Sequence, residues 1–322
     1  MGCYKDSLVS IIVPVHNAVE FLERSIKNIL KQTYNNIEII IINNGSDDGT
    51  QEICEELLKI HKKIKLVNTS RKGVSNARNI GIESAKGDIV AFCDADDYFE
   101  DRIIEKAVFE ITQNNIDICV FGINVVDNYG RLVEKKLIDK EEVWNSEKLI
   151  INALVDKRVM GSVWNKVFRK SIIDNVYFDT DLSMCEDCHF LINVATKHRT
   201  NRIKYCNYIG YNYVINPDSV TNNISKVFDH NENRYIQALE QIKKDCELNK
   251  FEKRYLNIAC AALAFEGNSL LNNNKTFEKE YYYNRKNHLR KFIKRYFHIY
   301  FFCNKIPLKN KIRTLTNFIM KR

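Results

Sequence analysis

Residues 90–97 read Val90-Ala91-Phe92-Cys93-Asp94-Ala95-Asp96-Asp97. An apolar strand runs directly into three carboxylates within four residues. Unpaired carboxylates crowded at the end of a buried strand repel one another and lose hydration, so they call for a counterion. Hard carboxylate oxygens suit Mg²⁺ or Mn²⁺, and such ions commonly carry phosphate ligands as well. The tip of this strand therefore reads as a metal–diphosphate site. The alternative is a solvated turn, with Asp97 or Asp101 capping a helix that begins near Arg102.

Upstream of this stretch, strands and helices alternate. Val9–Val15, Ile37–Ile42, Ile64–Val67 and Ile89–Cys93 are short, continuous apolar runs. Between them, 20–31, 50–60 and 75–84 carry apolar residues at helical spacing. Continuous rather than alternating apolar strands imply a sheet covered on both faces. The expected fold is α/β, a doubly wound sheet whose ligands sit at the carboxyl ends of the strands. Further along, 118–126, 132–137 and 204–215 read as strands and 145–155 as a helix. From about Ser225 the pattern is helical. The chain divides into residues 1–222, expected to bind substrate, and a helical, basic region over 223–322.

Polar residues collect at the strand ends. The first strand ends in Pro14-Val15-His16-Asn17, the second in Asn43-Asn44-Gly45-Ser46-Asp47-Asp48-Gly49, the fourth in the aspartates. Each alone is a turn signal; three at the same end of one sheet outline a crevice. No G-x-G-x-x-G follows the first strand and no G-x-x-x-x-G-K-[ST] occurs anywhere, so dinucleotide oxidoreductases and P-loop enzymes lose their main support. Any phosphate must be held by a metal and basic side chains.

Other residues carry a functional and a bland reading. Arg78 and Asn79 can face a nucleotide or a solvated helix side. Glu186 and Asp187 open a helical run, where acids complement the helix dipole. A carboxylate held in a cleft there can also act as a general base toward a sugar hydroxyl. Cys185-Glu186-Asp187-Cys188-His189 matches the haem-attachment pattern, but no export signal accompanies it and no second C-x-x-C completes a zinc site.

The N-terminus has one basic residue, Lys5, ahead of an apolar run broken by Pro14 and His16, which is not a signal peptide. No stretch offers the ~20 apolar residues of a membrane span. With ten scattered cysteines, this points to reduced thiols in a cytoplasmic protein. The net charge of +8 is uneven: residues 281–322 hold twelve Lys and Arg and no acid. Within them, 289–300 is amphipathic, with Leu289, Phe292, Ile293, Tyr296, Phe297 and Tyr300 opposite Arg290, Lys291, Lys294, Arg295 and His298. This pattern suits an anionic membrane surface contacted through 285–322 on its inner face, or packing against the domain. No nucleic-acid-binding module is evident.

Taken together, Val9–Asn17, Asn43–Thr50, Ala77–Gly81, Asp94–Asp97, Val163–Lys166, Glu186-Asp187 and Tyr211–Thr221 resemble glycosyltransferase family 2 in order and spacing, over about residues 7–222. The resemblance implies the GT-A nucleotide-sugar fold, a doubly wound mixed sheet with a helical C-terminal extension, and an inverting transferase. It would use a nucleotide-diphosphate sugar as donor, with Mn²⁺ or Mg²⁺, and a glycan or lipid-linked glycan as acceptor. Asp96 would bind the metal, and Asp94 the ribose or the metal shell. Pro14, His16, Asn17, Asn43, Asn44 and Arg78 would hold the nucleoside. Asp187 falls where the family has its catalytic base, and Trp164 and Lys166 would line the donor or acceptor pocket. The family usually has at least one Asp at the positions of Asn43 and Asn44. A UDP-sugar is the expected donor and cell-surface polysaccharide the expected product. Two other readings stand beside this one: a nucleotidyltransferase, and a non-catalytic scaffold at the membrane.

Overall fold

The computed structural model describes residues 6–216, 228–229 and 232–260. Strand β1 (Val9–Val15) lies at the centre of the first half, with nearly every residue buried. It pairs in parallel with β2 (Ile37–Asn43), Val15 opposite Asn43, and with β4 (Ile89–Phe92), Ile12 opposite Phe92. β3 (Ile64–Asn68) adds in parallel to β2. The crossovers are α1 (Leu22–Leu30), α2 (Thr50–Ile60) and α3 (Val74–Ser84). Because β1, β2 and β4 are adjacent and parallel, their polar carboxyl ends are brought to one edge of the sheet, as the doubly wound reading requires.

Helix α3 lies unusually close to β1. A Cβ added at Gly81 would stand 2.3 Å from Ile12 Cγ2, so only glycine permits this approach. The close seat sets the depth at which the preceding turn of α3, with Arg78, enters the protein.

The second half departs from simple parallel winding. β9 (Lys166–Arg169) inserts antiparallel between β4 and β6 (Ile118–Val126), with Val167 opposite Ala91 and Cys119. β10 (Ile203–Val214) pairs in parallel with β6. β5 (Tyr98–Phe99) and β8 (Glu142–Trp144) are antiparallel additions to β10, and β7 (Leu132–Lys136) to β6. The sheet is therefore mixed. β5 and β8 are two and three residues long, too short to leave a periodic signal.

The helix after the aspartates, α4 (Ile103–Gln113), starts at N-cap Arg102 with no side-chain cap. The capping role considered for Asp97 or Asp101 is thus corrected: the Asp97 carboxylate instead accepts from the Tyr211 hydroxyl at 2.8 Å and the Val214 amide at 2.8 Å.

Two apolar layers cover the sheet. One joins Ile11, Val13, Ile26, Ile104, Val167 and Tyr211. The other includes Ile12, Phe92, Phe168, Phe178 and Phe190. The Phe178 and Phe190 rings stack at 4.0 Å. α6 (Glu186–His198) supplies Phe190, and α7 (Arg234–Asp245) adds Ile236, Leu239 and Ile242 to the same layer. A helix over 250–260 contributes Leu256 and Cys260. Beyond the expected boundary at 222, the described residues depart from the all-helical expectation at Phe228–Asp229 and Glu232–Asn233, which pair antiparallel, and are helical over 234–245 and 250–260, where they pack on the layer that holds α6. The amphipathic 289–300 segment and the rest of 285–322 lie outside the described residues. No described helix is long and apolar enough to cross a membrane.

Candidate active site

At the tips of β1 and β2 the backbone is cross-tied. The Asn44 amide donates to Val15 O at 2.8 Å, and His16 Nδ1 lies 3.0 Å from Asn44 O. Asn17, at φ 51, exchanges two bonds with Asp47: Nδ2 to Oδ1 at 2.9 Å and the Asp47 amide to Asn17 Oδ1 at 3.0 Å. The two asparagines differ. Asn43 is committed within the turn, donating to Gln51 Oε1 at 2.6 Å and accepting from Ser46 Oγ at 2.6 Å. Asn44 is 5% exposed, yet its Oδ1 has no hydrogen-bond partner among the described residues. A buried unpaired carbonyl oxygen is costly unless a donor arrives from elsewhere.

The centre of the site is Arg78 on α3, 3% exposed. Its Nη2 reaches Asp94 Oδ1 at 3.0 Å, while Nη1 reaches Glu186 Oε1 at 2.9 Å and Asp187 Oδ1 at 2.6 Å. Its guanidinium lies 5.4 Å from the Phe178 ring centroid. A buried guanidinium needs such partners. Asn79 clamps Phe178 beneath it through both backbone groups, at 2.9 Å to the carbonyl and 2.8 Å from the amide. The tip of β4, α3 and the first turn of α6 are thereby joined through one cation. Three of the sequence-derived residues, Arg78, Asp94 and Asp187, meet here. Glu186 belongs with them as a full partner of Arg78, a role not visible in the sequence because the burial of Arg78 is not.

Asp187 sits in the first turn of α6, behind Cys185, whose φ of 58 swings the chain into the helix. Its Oδ2 accepts from the Val163 amide at 3.2 Å. Burial pushes its pKa up to about 7, against the pull of Arg78. It is a carboxylate with base strength near neutrality, held by two donors.

Lys166, expected to line the pocket, is fully buried. Its ammonium contacts Ser162 O at 2.7 Å, Asn165 Oδ1 at 2.8 Å, Met160 O at 3.0 Å and Val159 O at 3.2 Å. Burial lowers its pKa to about 7. The side chain thus organises the 159–165 loop from inside, and that loop presents the Val163 amide to Asp187. Trp164, also buried, stacks on Tyr211 at 4.4 Å and Tyr213 at 5.7 Å. Tyr211 opens the Tyr211–Thr221 segment of the resemblance, which gave it no site role. Its hydroxyl accepts from the Asp94 amide at 3.2 Å while donating to Asp97, which ties the β4 tip to β10.

The three aspartates therefore divide their work: Asp94 faces Arg78, Asp97 is structural, and the Asp96 carboxylate has a hydrogen bond from the Asn216 side chain and Arg24 nearby. Arg24 donates to the main-chain oxygen of Asp96 at 3.0 Å. Among the described residues no ion pair engages its carboxylate. Burial and the Asp94 charge raise the Asp96 pKa. Negative charge in excess of its local counterions, on hard oxygen donors, fits a divalent cation.

The sequence pattern described as Glycosyl transferase family 2 matches residues 10–177, more than half of the chain. The chain belongs to glycosyl transferase family 2. Within this family it is similar to the uncharacterized glycosyltransferase EpsJ of Bacillus subtilis, 31% identical over 218 residues. That alignment covers 66% of the present chain and 63% of EpsJ, less than two thirds of the relative's length. The fold is GT-A. S. aureus TarS 1–349 in complex with UDP-GlcNAc superimposes with a TM-score of 0.67 at 20% identity, covering 89% of this chain and 80% of TarS. The mannosyltransferase PcManGT of Pyrobaculum calidifontis, in complex with GDP-Man and Mn²⁺, gives a TM-score of 0.54 at 16% identity, covering 98% and 88%. The Arg78 network is the part of this family 2 chain where strand tips and the first turn of α6 converge.

Proposed function

We propose that this family 2 protein is an inverting glycosyltransferase. It would transfer a hexose or N-acetylhexosamine from a UDP-sugar to a glycan or lipid-linked glycan acceptor in cell-surface polysaccharide synthesis. The observation that carries the reading is Asp187: a half-buried carboxylate with a pKa near 7, joined through Arg78 to Asp94 at the β4 tip.

In this reading Asp187 takes the proton of the acceptor hydroxyl as that oxygen attacks the anomeric carbon and the nucleoside diphosphate departs. Arg78 and the Val163 amide orient the carboxylate and oppose the rise in its pKa that burial causes. Asp96, with Asp94, would hold Mn²⁺ or Mg²⁺, which supplies positive charge to a diphosphate leaving group when bound. Asn44 Oδ1 offers an acceptor to a base that presents a ring N–H. Uracil, thymine and guanine have one, whereas cytosine has an acceptor at that position. Pro14, His16 and Asn17 form the adjoining wall for the nucleoside.

The UDP-GlcNAc complex of TarS supports a uridine donor by fold analogy, and the Mn²⁺ complex of PcManGT supports a metal. Calorimetry with UDP, GDP, CDP and dTDP, with and without Mn²⁺, tests the reading. Metal-dependent UDP binding is expected, followed by turnover of one UDP-sugar. Absence of binding by every nucleotide would return the scaffold reading. The basic 285–322 segment is proposed to rest on the inner face of the cytoplasmic membrane. Flotation with anionic liposomes should weaken when Lys291, Lys294 and Arg295 are changed to Gln; equal flotation would discard that contact.

A further inference from the structure

Away from the Arg78 network, Asp179, His189 and Asp245 converge from three separate elements. One potential ligand atom from each lies within 4.8 Å of the others. Asp179 precedes α6, His189 is on α6, and Asp245 is the last residue of α7. His189 is 4% exposed, Asp179 is half-buried and Asp245 is exposed. His189 Nε2 lies 3.0 Å from Asp245 Oδ2. Its other nitrogen, Nδ1, is buried and has no hydrogen-bond partner among the described residues. Asp179 Oδ1 accepts from the Asp181 amide at 2.8 Å.

A neutral imidazole can donate one N–H, which serves one carboxylate and leaves the second nitrogen as a buried lone pair. A protonated imidazole would instead bury an unpartnered N–H at Nδ1, at a cost. A divalent cation on Nε2 would take that nitrogen's lone pair, leave the ring's one proton on Nδ1 and neutralise the two converging carboxylates, and the 3.0 Å separation of Nε2 from Asp245 Oδ2 suits two ligands of one ion. One imidazole with two carboxylates suits Zn²⁺ or Mn²⁺, and the exposed side at Asp245 leaves room for water ligands.

We propose that Asp179, His189 and Asp245 form a second divalent-cation site, separate from Asp94 and Asp96. An ion there staples α7 to α6, whose first turn carries Glu186 and Asp187. It also pins the residue that follows Phe178, the ring beneath Arg78. The site is structural and gives the last residue of Cys185-Glu186-Asp187-Cys188-His189 a function independent of haem or thiols.

The test is equilibrium dialysis of the full chain against Zn²⁺ alone, without nucleotide, with bound metal quantified and melting temperature recorded. Asp179→Asn/Asp245→Asn alters the two more accessible ligands and spares the buried imidazole. Wild type is expected to bind an ion that raises its melting temperature. The double variant should lose that ion and that rise, while Asp96→Asn keeps both. The proposal is overturned if wild type binds no Zn²⁺. It is equally overturned if the double variant binds as many ions and gains as much thermal stability as wild type, the ion then sitting on thiols or at Asp94 and Asp96. None of these outcomes depends on transferase activity.

Discussion

Arg78 Nη1 and Asp187 Oδ1 stand 2.6 Å apart although 109 residues separate them in the chain. The pair sets the protonation of Asp187 between two opposed effects. Burial raises its pKa, the guanidinium lowers it, and the balance lies at about 7. As a base Asp187 must be ionised, so kcat/KM should rise with pH along a limb centred near 7 and then level off. A pH–rate profile for the free enzyme checks this; a flat profile between pH 5 and 8 would remove Asp187 as the titrating base. The same shift acts on stability in the opposite direction. Because the folded-state pKa lies above 3.8, the stabilising contribution of Asp187 is fully present below 3.8 and is lost as pH rises through 7.

Asp187→Asn keeps the shape but cannot accept a proton. Loss of a general base typically costs about 10²–10⁴-fold in rate. Transfer should fall by that order, while UDP affinity measured by calorimetry stays near wild type. Unchanged turnover would exclude the assignment.

Asp96→Ala should abolish the Mn²⁺-dependent part of nucleotide affinity and leave the metal-free part intact. Titrating UDP in Mn²⁺ and in EDTA separates the two. An undiminished metal effect in the variant would move the ion elsewhere.

Asn43 and Asn44, neighbours in sequence, should behave differently. Asn44→Ala removes an unpaired buried acceptor and should weaken nucleotide binding while slightly stabilising the free protein. Asn43→Ala breaks the bonds to Gln51 and Ser46 and should cost roughly 1–3 kcal/mol of stability. Nucleotide titrations and denaturant melts on both variants distinguish these outcomes.

Lys166→Met should loosen the 159–165 loop, since four oxygens lose their shared cation. Stability should drop by roughly 1–3 kcal/mol. Activity should fall through displacement of the Val163 amide from Asp187, with kcat affected more than nucleotide affinity. An unaltered kcat would limit Lys166 to a purely structural role.

Local patterns carried the first half of the fold. Continuous apolar runs at 9–15, 37–42 and 89–93, with helical spacing between them, specify buried parallel strands because each side chain's periodicity depends only on its near neighbours. The polar tips followed from the same reasoning, and they drew attention to Asp94, Asp96 and Asn44, whereas Asp187 came from the opening of a helical run and from the family resemblance. What the tertiary structure alone decided is which charge meets which. The insertion of β9 between β4 and β6 brings the Lys166 loop to Asp187, and the close seat of α3 on β1 at Gly81 sinks Arg78 between three acids. Spacing could not separate Asn43 from Asn44, or the structural Asp97 from Asp94 and Asp96. Those differences arise from partners distant in the chain, and burial and hydrogen-bond satisfaction are properties of the packed molecule rather than of any local segment.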